Sequence, residues 1–79
     1  MDQLQNVILA LQELEQDPST PRNVKARLAS TIKVLNEKSE TSIKVSRALH
    51  ELEDLTDDSN VQAYTRTQLF NIVSLLEIV

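Results

Sequence analysis

Not one of this chain's 79 residues is glycine, and its two prolines, Pro18 and Pro21, stand three positions apart. Only glycine enters positive-φ backbone without steric cost, so tight hairpin turns, phosphate-cradling loops and dinucleotide fingerprints depend on it. Walker-type and G-x-G-x-x-G sites are therefore excluded. Leu, Ile, Val and Ala dominate the 41% apolar content, and the chain reads as globular and all-α.

Cysteine is absent and His50 is the sole histidine. Disulfides, thiolate metal sites, nucleophilic thiols and histidine clusters go together. No cofactor, metal or catalytic set is expected. The length fits one small domain, 1–79, which buries only about 60% of the surface its unfolded form exposes. Further stability is expected from well-matched helix packing or subunit contacts. No apolar run approaches the about 20 residues of a membrane span. The opening "MDQLQNVILALQELEQD" is acidic and amphipathic, without the basic region of a signal peptide. A soluble, cytoplasmic protein with no membrane partner is the expectation. The net charge of −4 makes nucleic acid an unlikely match, since phosphate neutralisation needs a basic surface.

Apolar spacing predicts four helices, about 2–16, 21–37, 41–56 and 60–78. Leu4, Val7, Ile8, Leu11 and Leu14 share one face of the first. Pro18 disfavours helical geometry at Asp17, and Thr20 suits an N-cap with Pro21 at the first helical position. Val24, Leu28, Ile32 and Leu35 stripe the second helix, with Asn36 or Lys38 as its C-cap. Val45, Ala48, Leu49, Leu52 and Leu55 stripe the third. Ser59 and Gln62 fit a capping box for the fourth. Short connections force antiparallel neighbours, hence an up-down four-helix bundle. "ALQELEQ" at Ala10–Gln16 parallels "ALHELED" at Ala48–Asp54, and Asp17, Ile32, Leu35 and Glu37 fall opposite Asp57, Ile72, Leu75 and Glu77. Two pseudo-repeated helical hairpins are expected.

The fourth helix carries a broad stripe of Val61, Tyr64, Leu69, Ile72, Val73, Leu75, Leu76 and Val79. Phe70 falls outside it, as do Leu9 and Val34 on their helices. Scattered surface apolar residues are normal. The sharper reading has Phe70, with Val73 or Leu9, buried against another subunit in a homodimer. His50 reads as a solvated surface residue, since no nucleophile flanks it. Glu51, Glu53, Asp54, Asp57 and Asp58 crowd the end of the third helix, where the dipole disfavours negative charge. They read as a solvated edge wanting an Arg or Lys from a neighbouring helix. Glu53 and Asp57 can share a cation, but the glycine of a calcium loop is missing. Arg22 and Lys25 stand at a helix start, a misfit of opposite sign. They either cradle a phosphate or carboxylate, or pair with Asp17 and Glu13.

"EQDPSTPRNVKARLASTIKVL" and "AYTRTQLFNIVSLLE" resemble the two most recognisable segments of the archaeal uncharacterised protein family 0147, and the likeness spans nearly the whole chain. The resemblance implies a small cytoplasmic archaeal protein with a bromodomain-like up-and-down bundle, and no activity. It also implies a second Asp-Pro step near Asp57, where Asp58 follows instead, and a tryptophan where Phe70 stands. The leading functional expectation is a non-enzymatic protein–protein interaction module that self-associates and meets an unknown protein partner. The alternatives are a nucleic-acid accessory using Arg22, Lys25, Arg27 and Arg66, and a carboxylate-based metal site or enzyme.

Overall fold

The computed structural model describes residues 3–79. They form α1 (Gln3–Gln16), α2 (Arg22–Leu35), α3 (Thr41–Thr56) and α4 (Ala63–Glu77). The expected start at residue 2 lies outside the described residues. Each helix packs against its two ring neighbours, with α1 closing against α4. Short connections between sequence neighbours make the ring an up-down bundle.

The core lies along the ring axis. Val7, Leu11 and Leu14 meet Val24, Leu28 and Leu35, and these meet Val45, Leu52 and Leu55 and then Leu69, Ile72 and Leu76. Steps of three and four put each set on one helical face, and burying it supplies the main driving force. Among the described residues no backbone φ is positive, so the glycine-free chain turns without left-handed caps. Asn36 ends α2 in right-handed geometry, φ −90° and ψ −3°. Asp57 does the same for α3 at φ −86° and ψ −8°.

Helix starts depart from expectation. Thr20 does not cap α2. Its buried hydroxyl donates to the Leu14 carbonyl at 2.9 Å, a second donor on an acceptor at the end of α1 that also takes Asp17 N–H. Pro21 takes the N-cap position instead, and its carbonyl accepts from Lys25 N–H at 2.9 Å. The Ser59–Gln62 capping box does not form either. Asp58 Oδ1 accepts from Asn60 N–H at 2.8 Å, an Asx turn that delays the helix to Ala63. The end of α2 also shifts, to Leu35, because Glu37 N–H folds back onto the Val34 carbonyl at 3.2 Å. Burial assignments change as well: Val34 is buried, while Leu4, Ile32 and Leu49 are half-buried against the core.

The two hairpins are pseudo-repeated in a register of 41 residues. Asp17 N–H donates to Leu14 O as Asp58 N–H does to Leu55 O, and Thr20 N–H donates to Asp17 O as Val61 N–H does to Asp58 O. Asp17 Oδ1 holds Ser19 N–H as Asp58 Oδ1 holds Asn60 N–H. Buried Leu11, Leu14, Leu28 and Leu35 fall on buried Leu52, Leu55, Leu69 and Leu76. The sequence pairing of Leu35 with Leu75 is one residue short of this register, which sets a buried leucine against an exposed one, and that of Ala10 with Ala48 is three residues short. Three residues are nearly one helical turn, so the slip keeps the same faces.

Candidate functional site

Each hairpin brings the start of one helix beside the end of the helix before it. That places Arg66 against the end of α3. Arg66, in the first turn of α4, donates from Nε to Thr56 O and from Nη2 to Asp58 O, both at 3.0 Å. It thus places a charged donor on carbonyls at and just past the end of α3, where the dipole favours positive charge. Lys25 holds the equivalent position in the first hairpin. It helps keep the Asp17 carboxyl below the usual carboxylate range, after the larger contributions of the Ser19 N–H and Ser19 hydroxyl. Asp17 is thus engaged with Ser19, whose hydroxyl donates to Oδ1 at 2.8 Å. Among the described residues neither Arg22 nor Lys25 forms an ion pair with Glu13 or Asp17, and Arg22 is exposed.

The acidic edge finds its counterion on α2. Arg27 Nη2 donates to Glu51 Oε2 at 2.9 Å and lies 3.7 Å from Asp54 Oδ2. The hydrogen bond to Glu51 raises the Arg27 pKa above its already high ordinary value. Arg47 Nη1 reaches Glu37 Oε2 at 3.1 Å, and His50 Nε2 stands 4.0 Å from Asp54 Oδ2. Ser30, Val34, Ser46, Arg47, His50 and Glu51 line a shallow groove along this α2–α3 seam. Its charges are tied to one another across the seam. Among the described residues no three acidic or histidine side chains converge as a metal would require.

Phe70 is 55% exposed and Leu9 46% exposed, while Val73 is half-buried on the core. Phe70 and Val73 share a flank of α4 with Arg66, whose bonds to Thr56 and Asp58 turn that flank toward α3. Leu9 belongs to α1, which meets α4 on its other flank. The structure therefore brings Phe70 and Val73 together and leaves Leu9 on a separate surface. The broad α4 stripe is also narrower than expected. Tyr64 and Leu75 are exposed, and Thr65 joins Leu69, Ile72 and Leu76 in the buried set. The sequence placed Tyr64 and Leu75 on that broad stripe without separating its buried part from its exposed part.

Fold and surface define a small, closed, two-hairpin helical bundle whose distinctive chemistry is on its outside. The chain belongs to the uncharacterised protein family UPF0147, whose model matches residues 1–79. It is 38% identical over 75 residues to the UPF0147 protein MJ1419 of Methanocaldococcus jannaschii, covering 94% of this chain and 81% of that one. It is 31% identical over 77 residues to a UPF0147 protein of Sulfurisphaera tokodaii, covering 96% and 86%. The crystal structure of MMP1188, a protein of unknown function, matches with a TM-score of 0.92 at 35% identity, covering 99% of this chain and 90% of that one.

Proposed function

We propose that the protein is a non-enzymatic interaction module of the cytoplasm whose first partner is a second copy of itself. The observation that carries this reading is the exposure of Leu9, Tyr64, Leu75 and Ile78 outside a bundle whose core is already filled, with Phe70 exposed separately on the other flank of α4. Large apolar side chains gathered on a small surface mark contact sites. Among the described residues no helix is long and apolar enough to cross a membrane, so a protein surface is the natural cover. The basic residues weighed for nucleic acid are partly spent inside the molecule: Arg27 on Glu51 and Asp54, Arg66 on two carbonyls. Sedimentation velocity from low to high micromolar concentration tests the reading. A concentration-dependent dimer is expected; a monomer throughout refutes self-association.

A further inference from the structure

The two hairpins provide an internal control. In the 41-residue register, Arg27, Ser30 and Val34 on α2 and Glu37 just past its end correspond to Gln68, Asn71 and Leu75 on α4 and Ile78 just past its end. His50 on α3 corresponds to Leu9 on α1. Two ion pairs cross the α2–α3 seam, Arg27 with Glu51 and Glu37 with Arg47, while His50 stands near Asp54 on α3 itself. On the equivalent α4–α1 seam the positions of those two pairs hold Gln68 with Ala10 and Ile78 with Asn6, and Glu13, the counterpart of Asp54, is the charge that remains. One seam is built to face water, and the other has the composition of a covered contact.

The uncharged positions also have a regular spacing. Tyr64, Gln68, Asn71, Leu75 and Ile78 follow steps of four, three, four and three, the repeat by which one helix packs along another. The only charges on α4, Arg66 and Glu77, lie on the opposite flank with Phe70. We infer that this stripe, with Leu9 beside it, is the face on which two copies of the chain pack about a two-fold axis passing near Asn71. The inference rests on the self-association reading and specifies its surface.

Charge selects the occupant. Each copy carries −4, and a two-fold axis sets every residue near it against its own twin. A face with net charge repels itself, whereas this stripe carries none. Residues 64 and 78 are equally distant from 71, so antiparallel α4 helices put Tyr64 of one copy against Ile78 of the next. At the centre Asn71 meets Asn71, and an amide is both donor and acceptor, so it pairs with itself. A single polar residue at such a seam fixes register. Leu9, Tyr64, Leu75 and Ile78 are 46, 60, 37 and 74% exposed. They leave apolar surface on the order of 400 Å², about half of the ~800 Å² that each partner of a standard interface buries. The surrounding glutamine and asparagine amides supply the polar remainder.

The native chain has no cysteine, so Asn71→Cys carries one thiol. Oxidised at dimer-forming concentration, it is expected to yield more than half of the chain as a disulfide-linked dimer, while Phe70→Cys stays largely monomeric on a denaturing gel. Asn71→Asp sets two like charges face to face and is expected to weaken dimerisation at least tenfold by sedimentation. Phe70→Glu leaves it unchanged. Asn71 is an exposed position, and circular dichroism confirms that each variant retains the helical fold. If Phe70→Glu dissociates the dimer while Asn71→Asp does not and Asn71→Cys fails to cross-link, the stripe is wrong and self-association stands. A wild-type monomer at all concentrations overturns both.

Discussion

Arg66 donates to the carbonyls of Thr56, at the end of α3, and of Asp58, which also accepts from Val61 N–H. Removing a charged donor from two such acceptors costs about 1–3 kcal/mol. Arg66→Ala is therefore expected to lower Tm by several degrees, with Arg66→Lys recovering part of the loss. Lys25→Ala should cost less, since Lys25 acts on Asp17 through charge and not through a direct bond. Asp17 itself sets a pH dependence. Its folded pKa lies below its ordinary value, so its stabilising contribution is present above the unfolded carboxylate pKa and lost as pH falls through the folded one. Thermal denaturation of Asp17→Asn should show a shallower loss of stability than wild type below about pH 4. These contacts were only half legible in the sequence. The misfit of charge and dipole at Arg22 and Lys25 was visible, but the carbonyl contacts made by Arg66 in the second hairpin were not. Those carbonyls belong to the end of α3 and the connection after it, and only the hairpin brings them near.

At the scale of the element, the core stripes were readable because burial on one side imposes the 3.6-residue period on the sequence itself. Flank positions were not. Val34 and Leu75 are equivalent in the repeat, yet one is buried and the other exposed. The neighbouring helix decides the difference, and apolar character alone does not reveal it. Helix starts failed for a related reason: the Thr20 hydroxyl serves Leu14 O in place of its own helix. The repeat makes a paired prediction. Leu28 and Leu69 are equivalent and fully buried, so Leu28→Ala and Leu69→Ala should each destabilise by about 2–5 kcal/mol in chemical denaturation. The ion pairs of the α2–α3 seam are partly exposed. Arg27→Met is accordingly expected to change stability by less than about 1 kcal/mol.

In the molecule as a whole the interior is complete and the α2–α3 and α4–α1 seams differ in kind. Ion pairs cross the first, and the second is the face proposed to meet a copy of itself. Cα atoms of one chain have a radius of gyration of 11.6 Å and extents of 32 × 22 × 19 Å, so pairing two copies alters mass and dimensions together. Small-angle X-ray scattering on the unmodified chain, extrapolated over a concentration series, reads both at once. The account predicts a forward-scattering mass of twice 8.9 kDa at high concentration, with a radius of gyration well above that of one chain. A mass of 8.9 kDa at every concentration, with dimensions fitted by the single bundle, would contradict it.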